Sequence, residues 1–205
     1  FYRAWYRPEN ATLVVVGDID PDDIERRLQA GFGDWKGIGS AGTPAGQGSP
    51  APRQTDARLF VDPAVAAGVT LSWVRPPDPE PDSFKGRASD LEEQLAAAIL
   101  NRRLEKLAQA EGKPPFVAAR VGSSDLEETA STTTLAAQAR LGDWRSALNA
   151  LEQEQRRLVQ HGVTADEVER EHAGLRAALE AGVASAGTRA SPALAEALVA
   201  AVDNE

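Results

Sequence analysis

The sequence predicts an α+β fold, a mostly antiparallel (mixed) sheet with helices packed on one of its faces. Three observations predict it. Val69, Leu71 and Trp73 alternate with Thr70 and Ser72, the period-two pattern of a strand with one buried face. Leu91, Leu95, Ile99, Leu104 and Leu107 recur at helical spacing within the longest amphipathic stretch, Leu91 to Ala110. Beyond residue 56 the elements follow in the order strand, strand, helix, strand, strand, helix, helix, helix, which puts hairpins and helices in separate layers.

Taken from the N-terminus, Leu13 to Val16 is a short β-branched run closing on Gly17 and reads as a strand. Asp20-Pro21-Asp22-Asp23 then supplies a helix cap, a proline at the first helical position and early carboxylates that suit the positive end of the helix dipole. Ile24, Leu28 and Phe32 recur every fourth residue, and Gly31 and Gly33 mark the end of that helix. Residues 37–56 hold five glycines and three prolines with hardly a large apolar side chain, the composition of a flexible linker. A boundary is therefore expected there, dividing 1–36 from 57–205.

Leu59 to Val61 and Val69 to Val74 read as two strands paired antiparallel. The prolines at 76, 77, 79 and 81 exclude regular structure, and the long helix that follows is stopped by Gly112, Pro114 and Pro115. Phe116 to Val121 and Thr129 to Ala139 form a second expected hairpin, its threonines pointing to a partly solvated strand. Asp143 is expected to cap a helix carrying Trp144, Leu148, Leu151 and Leu158, which His161-Gly162 terminates. Thr164 with Glu167 three residues on makes a capping box for a helix whose stripe is Val168, His172, Leu175, Leu179 and Val183. Ser191-Pro192 opens the last helix.

Composition excludes several function classes. With 31 acidic against 22 basic residues the net charge is −9, which repels phosphate backbones and anionic membrane surfaces, so neither a nucleic-acid nor a membrane partner is expected. No apolar run approaches the roughly 20 residues that span a bilayer. Without cysteine there is no disulfide and no thiolate chemistry. A chain that opens at Phe1 and lacks methionine reads as a piece of a longer polypeptide.

Two stretches carry a family resemblance. The first is Phe1-Tyr2-Arg3-Ala4-Trp5-Tyr6-Arg7-Pro8-Glu9-Asn10, followed by Val14-Val15-Val16-Gly17-Asp18-Ile19-Asp20 and Phe32-Gly33-Asp34-Trp35. The second is Ile99-Leu100-Asn101-Arg102-Arg103-Leu104 with Pro115-Phe116, and later Gly162-Val163-Thr164 through Glu167. Together they resemble long bacterial members of the pitrilysin/insulinase family of zinc metallopeptidases. The resemblance implies a metallohydrolase-like domain of the pitrilysin/processing-peptidase type. By that resemblance 1–36 is the terminal strand and helix of a preceding catalytic-type domain, 37–56 the linker, and 57–205 a second, non-catalytic domain. It further implies a parent that hydrolyses peptide bonds with zinc-activated water and a glutamate base, a role for this segment in enclosing extended peptides, and a periplasmic setting.

The residues themselves supply no such centre. The family's inverted zinc motif is H-x-x-E-H, and the nearest match here is Glu171-His172 with Val168 where the first histidine belongs. A valine cannot ligate zinc, and the two imidazoles, His161 and His172, fall short of the three protein ligands a catalytic zinc uses. His172 is expected half-buried on its helix stripe, His161 as a cation at a helix C-terminus, and Glu171 as a solvated helix residue. Gly17-Asp18 is followed by neither a dinucleotide nor a P-loop pattern. Asp18, Asp20, Asp22 and Asp23 lack the glycine and final glutamate of a calcium loop. Ser123-Ser124 and Thr129, Thr132, Thr133 and Thr134 lie in no nucleophile motif, and Arg102-Arg103 and Arg156-Arg157 are read as solvated helix faces.

The expectation is therefore no catalytic, cofactor-binding or metal site in this segment, with zinc in the parent enzyme. Expected partners are the catalytic domain of the same polypeptide, a peptide substrate, and a homodimer or strand exchange of the fragment. Residues 12–32 are expected to dock on the later sheet within one molecule or between two, since an uncovered edge seeks a partner. At least one of Trp5, Trp35, Trp73 and Trp144 should stand at a surface that other domains cover. The competing readings are a scaffold or assembly subunit of the same fold with no metal site, and a helix-rich interaction module unrelated to proteolysis.

Overall fold

The computed structural model describes residues 1–46, 48–52, 54–77, 83–126 and 129–203. Pro79, Pro81 and Glu205, and within the expected linker Gln47 and Arg53, lie outside the described residues. The chain divides into two compact units, Phe1–Gly46 with Gly182–Glu205, and Gln47–Ala181.

In the first unit, α1 (Tyr2–Trp5) and a 3-10 turn (Pro8–Asn10) precede α2 (Pro21–Phe32). The Asp20 carboxylate accepts a hydrogen bond from the Asp22 N–H at 3.0 Å, so this cap forms as its sequence predicts. Arg7 is the buried anchor of the opening segment: Nη1 donates to the Gly39 carbonyl at 3.1 Å while Nε pairs with Glu9. Gly37 and Gly42 permit this packing, because a Cβ on them would collide with the Arg7 guanidinium and the Trp5 indole. Leu13 to Val16 is not a strand, and among the described residues no strand precedes Gly68. The β-branched residues of that run belong to no strand of the described sheet, contrary to the expected strand.

The second unit holds the sheet. β1 (Gly68–Arg75), β2 (Ala118–Leu126) and β3 (Ala130–Gln138) are arranged β1-β3-β2, with both pairings antiparallel. β1 therefore pairs with β3 and not with Leu59–Val61, which forms no strand. Leu59, Phe60 and Val61 are 85%, 76% and 80% exposed. Both pairings among the described residues are antiparallel, within the expected α+β fold.

Between β1 and β2 runs α3 (Phe84–Ala108), longer than its apolar stripe suggested because Ser83 caps it by accepting from the Gly86 N–H at 3.0 Å. α4 (Trp144–His161) follows β3. Asp143 occupies the N-cap position of α4 without capping through its side chain, which is engaged instead by the Lys113 ammonium at 3.1 Å. α3 and α4 pack the same face of the sheet around Leu100, Leu104, Phe116, Leu135, Ala147 and Leu151. Phe116 lies just before β2 and serves as core rather than as a strand residue.

Gly162 ends α4 at φ 68°, ψ −147°, a conformation open only to glycine. The capping box then forms as expected: the Glu167 N–H donates to Thr164 Oγ1 at 3.3 Å and the Thr164 N–H to Glu167 Oε2 at 2.9 Å, starting α5 (Ala165–Ala184). α6 (Ser191–Asp203) completes the described chain.

Candidate functional site

Register assigns the sheet two unlike faces. Val69 and Leu71 of β1, Leu135 and Ala137 of β3, and Ala119 and Val121 of β2 share the face under the helices. The opposite face presents Thr70, Ser72, Thr132, Thr134, Gly122 and Ser124, with Arg120 as its one charge among the described residues. Its outer strands are exposed, and neither α3 nor α4, which cover the other face, packs on it. The serines and threonines singled out as candidate nucleophiles are divided between the faces: Ser123 and Thr133 share a hydrogen bond at 3.3 Å near the helix-side end of the ladder. Among the described residues, neither His161 nor His172 is hydrogen-bonded to Ser123, Ser124, Thr132, Thr133 or Thr134.

The two edges of the sheet differ as well. At the β2 edge the Asn101 side chain, reaching from α3, accepts from the Val121 N–H at 2.8 Å and donates to the Val121 carbonyl at 3.1 Å. The carboxamide thus stands where a neighbouring strand's peptide group would be. Among the described residues no side chain borders β1 in this way.

Arg102 stays exposed on its helix face, whereas Arg103 and Glu171 are largely withdrawn from water, and both arginines are paired with carboxylates of another helix. Arg103 holds Glu167 in a fork, Nε to Oε1 and Nη2 to Oε2 both at 2.7 Å, and Nη2 also donates to the Gly162 carbonyl at 3.2 Å. Arg102 engages both oxygens of Glu171 in the same way, its Nη2 to Oε2 at 3.3 Å. The hydrogen bonds from Arg103, then those from Thr164, hold the Glu167 carboxyl at about 2, well below its usual range. Bonding to Glu167 also raises Arg103, against the opposing effect of burial, and the nearby Glu154 charge adds to the rise. α5 is tied to α3 by these two forks, which run from adjacent residues of α3 to residues one turn apart on α5. Arg156 and Arg157 do conform to expectation, pairing within α4 with Glu152 and Glu154.

Between α3 and α5 lies a groove of about 380 Å³ lined by Leu91, Leu95, Leu175 and Leu179, with His172 on its rim. His172 is exposed, because α5 stands off α3 across this groove instead of burying its stripe. His161 sits in the last turn of α4, as expected. Asp20 is a cap, and Asp23 holds Arg26 and Arg27, so neither belongs to a cation loop. Trp35, Trp73 and Trp144 are 38%, 40% and 39% exposed, and Trp5 is half-buried.

A family model described as the peptidase M16 inactive domain matches residues 1–175. The chain belongs to that family. This M16 inactive domain is 26% identical over 230 residues to the chloroplastic stromal processing peptidase of Arabidopsis thaliana, covering 83% of the chain and 18% of the relative. It is 30% identical over 79 residues to protein YhjJ of Salmonella typhimurium, covering 38% of the chain and 16% of that protein. The chain thus spans less than a fifth of the curated relatives it matches.

Among solved structures, the periplasmic protease PqqL of Escherichia coli superposes with a TM-score of 0.80 at 19% identity, over 99% of this chain and 22% of that one. A predicted insulinase family protease of Yersinia pestis gives 0.76 at 17% identity, over 99% and 43%. These likenesses show the shared fold.

The donors of this M16 domain do not fit the zinc of pitrilysin- and insulinase-type peptidases. Val168 stands at a ligand position, both Glu171 oxygens are committed to Arg102, and no group of three or more His, Cys, Asp or Glu side chains able to hold a metal occurs among the described residues. Sequence reasoning missed Asn101 and the two forks. The signals were present in a lone amide among Ile99, Leu100 and Leu104, and in paired arginines matched by two glutamates at four-residue spacing.

Proposed function

We propose that this chain is a non-catalytic, substrate-enclosing part of a zinc-dependent metalloendopeptidase. Residues 1–36 close a catalytic-type domain, 37–56 link, and 57–205 form a second domain of related fold. The observation that carries this reading is the uncovered sheet face in a member of a peptidase family. It carries the hydroxyls of Thr70, Ser72, Thr132, Thr134 and Ser124 beside Val74, Ala136 and Leu126 and is almost uncharged, a surface along which an extended peptide can lie without specific side-chain readout. Zinc and the general base are supplied by the catalytic domain of the same polypeptide, the nearest partner of this segment. The wording "periplasmic protease" for PqqL supports a periplasmic setting, and no described helix is long and apolar enough to cross a membrane.

The test compares the full-length polypeptide with residues 1–205 for zinc content and for cleavage of an unstructured peptide. Metal and turnover are expected in the full-length protein alone. Tightly held zinc with turnover by residues 1–205 sinks the proposal. A full-length protein with neither would assign the family fold to a scaffold or assembly subunit instead.

A further inference from the structure

We propose that α5 is a hinged flap over α3, and that it lifts when Arg103 exchanges Glu167 for Glu154. α5 contributes no buried residue, and the leucine-lined groove of about 380 Å³ lies between it and α3. Charge therefore does most of the fastening. The two forks are unequal in this respect. The Arg102 side chain is 45% exposed, so its separation from Glu171 in water costs little. The Arg103 side chain is only 13% exposed, and the next residue, Leu104, is fixed in the core, so the arginine cannot follow Glu167 outward. A guanidinium stranded there without a partner would make lifting expensive.

α4 supplies the replacement partner. Glu154 is buried at 8% exposure, and its Oε1 faces the Arg157 guanidinium at 3.5 Å. Glu154 Oε2 and Arg103 Nη1 are both buried, and neither has a hydrogen-bond partner among the described residues. The Glu154 charge nonetheless acts on Arg103, adding to the rise in its pKa, so the two groups are neighbours. A short swing of the guanidinium joins them. Glu167 then leaves with α5 and becomes hydrated, while the buried arginine is never without a carboxylate. Gly162 provides the pivot. It separates α4 from α5 in its glycine-only conformation, and its carbonyl, bonded to Arg103 Nη2, is released in the same movement. Lifting uncovers Leu91 and Leu95 on α3 and Leu175 and Leu179 on α5.

A helix without packing partners is only marginally stable in water, so α5 amides exchange once the flap lifts. The experiment is amide hydrogen exchange on the full-length polypeptide at neutral pH, comparing α5 from Glu171 to Leu179 with α4 from Leu148 to Leu158. In the unaltered protein α5 is expected to exchange at least about 100-fold faster than α4. Coincident rates, which mean no separate opening, overturn the proposal. Glu167→Gln is expected to speed α5 by about tenfold, and an unchanged rate overturns the proposal as well. The discriminating variants are Glu154→Gln and Glu154→Leu. By weakening or removing the replacement partner they are expected to lower the ratio of α5 to α4 exchange by about tenfold. A ratio unchanged or raised overturns the proposal, since a merely structural Glu154 would loosen both helices together. The ratio cancels a general loss of stability, so a weakened fold leaves the result readable. None of these readouts depends on zinc or turnover, so failure here leaves the peptidase reading standing.

Discussion

Glu167 performs two duties that are usually separate. It closes the capping box of α5 through Thr164, and it receives the fork of Arg103 from α3, so one carboxylate both starts a helix and fastens it. Its folded pKa of about 2 lies below the unfolded value near 4.5. The stabilisation is therefore complete above 4.5 and is lost as the pH falls from there toward 2. Urea unfolding is expected to show a loss of about 1–2 kcal/mol between pH 6 and pH 2.5 that Glu167→Gln abolishes, after allowance for solvent around the pair. An equal loss in the variant would show that other carboxyls carry the acid sensitivity. The sequence disclosed the cap, whose partner is three residues away, and concealed the fork, whose partner is on another helix.

Among the elements, those whose stabilising partners are near in sequence were legible. α2 and α5 announce themselves by their caps, and β1 by its alternation. Leu13–Val16 and Leu59–Val61 have the composition of strands but pair with no strand among the described residues, since composition alone does not form a ladder. The state of His172 was not legible, because it depends on how far α5 stands from α3. Asn101→Ala tests the edge device directly. Removing the carboxamide leaves the Val121 donor and acceptor without their partner, and the expected cost is about 1–3 kcal/mol in denaturant unfolding, with faster amide exchange at Val121. Unchanged exchange there would mean that Asn101 merely fills space.

For the molecule as a whole, much apolar surface remains in water, including Leu91 and Leu179 at the groove and three partly exposed tryptophans. Leu179 is 56% exposed, so Leu179→Glu is expected to shift stability by no more than about 0.5 kcal/mol while reducing binding of an apolar fluorescent dye. A large destabilisation would show instead that the groove is a closed core in solution.

The central position of β3 also dictates the order of events during synthesis. β1 and β2 never touch each other, so each meets its sheet neighbour only once Ala130–Gln138 has left the ribosome. At ordinary translation rates β1 waits several seconds, unpaired, for that moment. A nascent chain halted before Gln138 would own two lone ribbons and no completed ladder, and would need a chaperone's shelter where one only slightly longer would not.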